Sequence, residues 1–382
     1  MNDLEMKQLL EFAPKPYIPP KLPLDTFSFV NPEILQLMSK ANNAIGQYTG
    51  FLMSTPNPWL LMSPITTQEA VLSSKLEGTH ATLEDILNHE AGNQTHVKED
   101  EINEILNYRQ ALVYAMENMS PIDKLSKTNS KFPLTVKLLK KMHEILLSNV
   151  RGSTKHPGEF KVSQNYIGGA ANISFTPLPP NLTDEYMSNL ERYINYEDIN
   201  TLLQAAIIHA QFEMIHPFED GNGRIGRLLI PLFFYYTGLI PLPTFYMSSF
   251  FEKNRDIYIQ KLANISDKND WIGWFSYFLK GIDIQSKLNT EKAIKILKLY
   301  ETFKNKMNEV KSYHFIQILD FTFQHPIFTV KQILEDKNVN IGKQTLYNTL
   351  KKMIDTNVLT TSRKSRNNTY ICNELLSIID VN

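Results

Sequence analysis

One break between two apolar helical runs constrains this chain more than any other feature. Before it, Leu203, Ala206, Ile207, Ala210 and Met214 recur at helical spacing; after it, Ile225, Leu228, Leu229, Leu232 and Phe233 recur at i, i+3, i+4, i+7 and i+8. The residues of the break run from His216 to Arg227 and read His-Pro-Phe-Glu-Asp-Gly-Asn-Gly-Arg-Ile-Gly-Arg. Pro217 ends the first helix, because the residue before a proline is pushed out of the α region. Gly221, Asn222 and Gly223 then sit at the N-terminus of the second helix. Free N–H groups and the positive end of the helix dipole make such a place a site for anions, phosphate above all.

The side chains around that turn suit phosphate transfer. Glycines let the backbone approach phosphate oxygens with no Cβ in the way. Arg224 and Arg227, three apart on the first turn, can aim guanidiniums at further oxygens. Asp220 is a hard oxygen ligand suited to Mg²⁺, which takes one or two carboxylates together with phosphates. His216 has an ordinary pKa near neutrality and can accept a proton from an attacking hydroxyl. A lone His or a lone Gly-x-Gly would suit a plain joint between two helices. All these residue types within twelve positions would not.

The segment resembles the His-Pro-Phe-x-(Asp/Asn)-Gly-Asn-Gly-Arg-x-x-Arg signature of Fic-domain proteins at every defined position. The resemblance implies transfer of AMP from ATP to a hydroxyl side chain of a target protein or of the chain itself. It implies His216 as the base and Asp220 as the Mg²⁺ ligand. Gly221, Asn222 and Gly223 would cradle the α- and β-phosphates, with Arg224 on the β-phosphate, Arg227 on the γ-phosphate, Ile225 and Gly226 within the same ATP-binding turn, and Phe218 anchoring the loop. The segment 158–168, Gly-Glu-Phe-Lys-Val-Ser-Gln-Asn-Tyr-Ile-Gly, followed by Pro-rich 176–180, looks like the family's flap. Gln164, Asn165, Tyr166 and Ile167 would offer a strand edge to the target. Lys161 stands where many relatives carry Arg. Asn254 to Leu262 resembles the segment that places aromatics near adenine, which nominates Tyr258, although Ile259 stands where a second aromatic is common.

Upstream, Ser73-Ser-Lys-Leu-Glu77-Gly78 resembles the inhibitory motif of many Fic proteins. Ser73 and Glu77 are four apart and so share a helix face, and Gly78 is a plausible helix terminator. The resemblance implies that Glu77 pairs with Arg227 and blocks the place of the γ-phosphate. The same resemblance implies an alternative activity, hydrolytic removal of AMP from a modified protein with Glu77 orienting water; a competing reading from another class is a DNA-binding regulator whose nucleotide site is only a sensor.

The expected fold class is all-α, a Fic-type helical bundle with a small β-hairpin flap and a C-terminal winged helix-turn-helix domain. Periodic apolar runs occur near 32–53, 64–78, 82–92, 97–119, 134–149, 182–216, 223–237, 247–264 and 268–286. Taken with the resemblance, the spacing implies an N-terminal helical region with the inhibitory helix (1–95), a Fic core (96–288), a polar linker helix (289–312) and the winged helix (313–382). Residues 12–24, with five prolines, read as an extended strap. In the last segment Phe315, Ile318, Leu319 and Phe321 mark one helix, 328–334 a second, and 342–356 a third with Leu346, Leu350 and Ile354 on one face. Residues 358–361 and 369–372 pair as a wing. Between Thr329 and Tyr370 eight Lys or Arg stand against three Asp or Glu. That balance makes DNA a candidate partner through 313–382, with Arg363, Lys364 and Arg366 on the wing; a protein-interaction or homodimer module is the other use of such a fold.

At 382 residues and a formal net charge of −1, nothing global argues for a polyanion partner or for disorder. The single cysteine, Cys372, excludes an internal disulfide framework and suits a reducing, cytoplasmic setting. The first residues lack the basic and apolar regions of a signal peptide. The uncharged stretch from Leu228 to Phe251 is long enough to span a membrane, but Pro231, Gly238, Pro241 and Pro243 interrupt it. It is expected to be core, with no membrane partner.

Overall fold

The computed structural model describes residues 13–55, 57–119, 133–150, 152–169, 172–308, 314–362 and 368–380. Among these the chain is mostly helical, with five short strands. It divides into two compact units that are not consecutive in sequence. The first joins residues 1–49 to 107–286, and the second joins 50–106 to 287–382.

The helices are α1 (Pro32–Ser54), α2 (Trp59–Leu76), α3 (Leu83–Glu90), α4 (Glu99–Asn118), α5 (Val136–Leu146), α6 (Thr183–Ile194), α7 (Thr201–Ile215), α8 (Asn222–Tyr236), α9 (Ser248–Lys253), α10 (Arg255–Lys268) and α11 (Trp271–Asn308). After them come α12 (Phe315–Gln324), α13 (Val330–Glu335), α14 (Lys343–Asp355) and α15 (Asn373–Asp380). Strands β1 (Ile167–Gly169) and β2 (Asn172–Phe175) form one antiparallel hairpin, and β3 (Ile327–Thr329), β4 (Thr360–Ser362) and β5 (Thr369–Ile371) form a sheet of order β3-β5-β4.

In the first unit α7 packs between α6 and α8, and α5 packs on both α6 and α8. Thirteen of the fifteen residues of α7 are buried, which explains a sequence with apolar residues all round rather than on one stripe. Fully burying each large apolar side chain here contributes about 1.5–3 kcal/mol. Trp274 Nε1, buried, donates to the Ala206 carbonyl at 2.9 Å. The strap lies extended against this core. Tyr17 N donates to Thr176 O (2.9 Å), Gln211 Nε2 to Pro20 O (2.9 Å), and the Asn189 amide brackets Leu22 by accepting from its N–H and donating to its carbonyl, both at 2.8 Å.

Four boundaries differ from the sequence expectation. The run 182–216 is two helices, because Asn200 leaves the helical region (φ −157°, ψ 129°) and its side chain caps the Leu202 and Leu203 N–H groups at 2.9 and 3.2 Å. The run 247–264 is likewise two helices, α9 and α10. Conversely, 268–286 and the polar 289–311 segment are one helix, α11, started by Asp270 Oδ1 on the Gly273 N–H at 2.8 Å. The flap ladder also begins later than 158–168, at Ile167.

In the second unit α2 packs on α12 and α15, and α3 packs on β3. Lys292 Nζ donates to Gln68 Oε1 (2.5 Å) and Ile379 O (2.8 Å), and Gln332 Nε2 donates to Glu90 O (2.8 Å). Residues 328–334, expected as a helix, open with β3 instead: Phe328 pairs with Tyr370 in the sheet, their rings stacked 5.6 Å apart. Helix α13 then starts at a capping box of Thr329 with Gln332. On α14 the buried face is Leu346, Thr349, Leu350 and Met353, with Ile354 only half-buried. The wing residues Arg363, Lys364 and Arg366 lie outside the described residues.

Among the described residues no helix is long and apolar enough to cross a membrane. The uncharged stretch from Leu228 is core: Leu228, Leu229, Leu232, Phe233 and Phe234 are fully buried. Cys372 is also buried, and burial pushes its thiol up to about 12.

Candidate active site

The site is the loop from α7 to α8. His216 closes α7 in the left-handed region (φ 50°, ψ 62°), its N–H still bonded to Phe212 O at 2.8 Å. A non-glycine residue seldom adopts this conformation, and it is held only where surrounding contacts over-determine it. Asn165 Nδ2 donates to His216 O (3.2 Å) and Phe218 O (2.9 Å). Lys161 Nζ donates to Ile215 O (3.0 Å) and Asn165 Oδ1 (2.9 Å), and the Lys161 N–H donates to Pro217 O (2.8 Å). Lys161 is almost wholly buried, and desolvation lowers its ammonium to about 7. The segment before the flap therefore fastens the loop from beneath.

Asn222, the first residue of α8, closes the loop on itself. Its Oδ1 accepts from Phe218 N (2.8 Å) and its Nδ2 donates to Phe218 O (2.7 Å). Phe218 is fully buried, and the His143 ring lies flat on it, centroids 3.8 Å apart and planes 8° from parallel. Gly158 N donates to His143 Nδ1 (2.9 Å), so His143 carries its proton on Nε2 and gives it to Asp220 O (2.9 Å). Burial, with a smaller push from Arg224, lowers this imidazole to about 4; it is a neutral strut.

Gly221 caps α8 at φ 77°, a conformation that favours glycine, and a Cβ there would meet Leu146 Cδ2 at 3.2 Å. The bare backbone N–H groups of the first turn of α8 follow. Arg224 and Arg227 are 2% and 4% exposed. Arg224 Nη2 stands 3.6 Å from Asp220 Oδ1, which also accepts from Gly221 N at 2.6 Å. The Asp220 side chain is 40% exposed. Among the described residues no group of three or more His, Cys, Asp or Glu is placed to hold a metal. One open carboxylate beside bare helix N–H groups would nonetheless suit a Mg²⁺ that keeps its waters and phosphates.

Structure brings His216, Asp220, the Gly221–Gly223 turn, Arg224, Ile225, Gly226 and Arg227 together on one loop and the first turn of α8. Of the flap residues, Asn165 turns inward to that loop, Gln164 Nε2 donates to Pro177 O (3.0 Å), Tyr166 is exposed, and Ile167 starts β1. Tyr258 is buried and stacked on Phe251 (4.3 Å), and its hydroxyl donates to His209 Nε2 at 2.9 Å. His209 Nδ1–H in turn donates to Gly226 O (2.9 Å), and burial lowers His209 to about 3. Tyr258 thus braces α8 from the core. Ser73, Glu77 and Gly78 end α2 in the second unit: Ser73 is fully buried, Glu77 is exposed, and Gly78 takes φ 90°.

Lys161, His143 and His209 were not singled out as site residues from sequence. Each lies outside the motif, and only the fold brings it there. For Lys161 the one sequence signal is its place in the flap segment, where the family resemblance expects Arg.

A model described as "Fic/DOC family N-terminal" matches residues 35–117, and one described as "Fic/DOC family" matches residues 133–234. The chain is 32% identical over 171 residues to "Protein adenylyltransferase Fic" of Drosophila yakuba, covering 44% of this chain and 30% of that protein. It is 34% identical over 148 residues to the protein of the same name in Drosophila melanogaster, covering 37% and 26%. The matches thus span less than a third of these relatives' lengths. Among solved structures, a Fic family protein from Desulfovibrio desulfuricans aligns with TM-score 0.57 at 18% identity, over 93% of this chain and 98% of that one. A Fic domain containing signaling protein from Bacteroides thetaiotaomicron aligns with TM-score 0.52 at 22% identity, over 68% and 96%. The second model spans the whole of this loop and the residues that fasten it, and the fold is shared with those structures, so residues 133–234 form a Fic/DOC family domain, preceded at 35–117 by the family's N-terminal segment.

Proposed function

We propose that the site transfers AMP from ATP to a hydroxyl of a target protein or of the chain itself. The observation that carries this reading is the joining of a left-handed His216 to an α8 N-terminus stripped of Cβ atoms at Gly221 and Gly223 and backed by two buried arginines. The hydroxyl oxygen attacks the α-phosphorus, the bond to the β-phosphate oxygen breaks, and His216 takes the hydroxyl proton. Backbone N–H groups of the first α8 turn hold the α- and β-phosphates, with Arg224 on the β- and Arg227 on the γ-phosphate. Mg²⁺ bound at Asp220 would neutralise phosphate charge. Among the described residues β1 pairs only with β2, and its other edge is where an extended target segment would add as a strand. The relatives' names are those of transferases, which supports transfer over removal of AMP. Incubation with ATP followed by mass spectrometry tests it: an AMP-bearing Ser, Thr or Tyr supports the reading, and unmodified protein opposes it.

Two finer readings belong to the same proposal. Glu77, exposed at the end of α2, is read as the inhibitory carboxylate. Residues 314–380 are read as a winged helix, supported by the order α12-β3-α13-α14-β4-β5 and the sheet order β3-β5-β4. On α14, exposed Lys343, Gln344, Tyr347, Asn348, Lys351 and Lys352 form the face that would contact DNA. A reducing, cytoplasmic setting fits the lone buried Cys372.

A further inference from the structure

Glu213 and His216 share the last turn of α7, and the His216 imidazole faces the Glu213 carboxylate. Nδ1 stands 3.8 Å from Oε2, with only 18% and 13% of the two side chains exposed. The carboxylate also leans on α8. A Cβ on Gly226 would lie 2.2 Å from Glu213 Oε1, closer than any side chain permits. The glycine within the Arg224-Ile225-Gly226-Arg227 turn therefore makes room for an acid from the preceding helix.

We propose that Glu213 is a positioning residue for the base. Its carboxylate holds the His216 ring with the proton on Nδ1, which leaves Nε2 to accept the proton of the attacking hydroxyl, and it stabilises the imidazolium that results. The chemical meaning of this inference rests on the AMP-transfer reading. In that step the new bond joins the hydroxyl oxygen to the α-phosphorus, the bond from the α-phosphorus to the bridging oxygen breaks, and pyrophosphate leaves. The proton passes to Nε2, and Glu213 neither gains nor loses one. A separation of 3.8 Å is an ion-pair distance rather than a hydrogen bond, and such pairs tighten when substrate closes the site. The role is that of an acid which orients a histidine and fixes its tautomer. The Asn165 and Lys161 contacts hold only backbone carbonyls of this turn, so they fix the chain's path without choosing the tautomer.

The test uses the full chain, with two variants and two readouts. Glu213→Gln keeps the shape and removes the charge; Gly226→Ala displaces the carboxylate from the other side. In ¹⁵N-histidine spectra, with the His216 signals assigned by their loss in His216→Ala, wild type should show the Nδ1–H tautomer near neutral pH, and both variants should lose it. In ATP-dependent self-modification, kcat should fall about ten-fold or more in Glu213→Gln, with KM for ATP within about two-fold. The double variant should be little worse than either single one, as for two changes acting through one contact. An unchanged tautomer in Glu213→Gln, or an unchanged kcat, would overturn the inference. A wild-type protein that holds the tautomer through Glu213 yet labels nothing would uphold the positioning role and sink the AMP-transfer reading instead.

Discussion

The His143 ring lies flat on Phe218 at 3.8 Å while its two nitrogens tie Gly158 N to Asp220 O. One neutral imidazole on α5 thus supports the anchor residue of the loop and the backbone of the residue nominated as metal ligand. Its replacement separates packing from polar bonding. His143→Phe keeps the stack but leaves a buried N–H and carbonyl without partners, and should cost about 1–3 kcal/mol. His143→Ala adds a cavity and should cost more. Denaturant melts of the two variants check the order; a His143→Phe protein as stable as wild type would contradict the paired-nitrogen account.

The same residue sets a pH dependence. Burial lowers His143 from 6.5 to about 4 and His209 from 6.5 to about 3. Both are depressed, so below the ordinary value the unfolded chain binds protons that the folded chain does not. The contribution of these two groups is therefore full above roughly pH 6.5 and is lost as pH drops toward 4 and then 3. For His143 alone the loss is on the order of 3 kcal/mol. Melts between about pH 8 and pH 4 should show this decline, and His143→Phe should flatten part of it.

Asn222 gives a third expectation. Its amide bonds both the N–H and the carbonyl of Phe218, so Asn222→Ala should loosen the loop. A cost of about 1–3 kcal/mol in stability is expected, together with a larger fall in AMP transfer than in ATP binding. Equal falls in both would place Asn222 on phosphate rather than on loop closure.

Much of this was legible in the sequence, for physical reasons. The α7 and α8 runs were clear because apolar periodicity and a Gly-Asn-Gly turn point the same way. The break between Ile194 and Thr201 is hard to read because it is only six residues long, and the Asn200 amide that starts α7 is an ordinary polar residue in sequence. The change from apolar to polar composition divides α11 in sequence, yet Ala293, Ile296, Leu299 and Phe303 carry a narrow buried stripe on through its polar half. β3 was hidden in 328–334 because three residues are too few to show alternation. Glu213 was overlooked because its significance lies in Gly226, thirteen residues on, where the missing Cβ leaves room for it.

Glu77 is the test of inhibition. If its carboxylate occupies the place of the γ-phosphate, Glu77→Gly should raise the rate of self-modification, by about 10²-fold if misaligned phosphates are the cause. Stability should change little, because Glu77 is exposed and follows the last turn of α2. A variant no faster than wild type would remove the inhibitory assignment.

For the C-terminal segment, point variants are better than deletion, because α12 and α15 pack on α2 and removing them would uncover it. Lys343, Lys351 and Lys352 replaced together by Ala should weaken duplex binding regardless of sequence and reduce its salt dependence. Failure of wild type to bind any duplex at low salt would favour a protein-interaction role.

The most direct test of the central claim compares wild type with His216→Ala, using ATP labelled at the α-phosphate. Initial transfer to protein and ATP affinity are measured on the same preparations. The account predicts that transfer falls roughly 10²–10⁴-fold while ATP affinity stays close to wild type, because the α8 turn and its arginines hold the phosphates. A His216→Ala protein that labels at the wild-type rate, or a wild type that never labels, would contradict it.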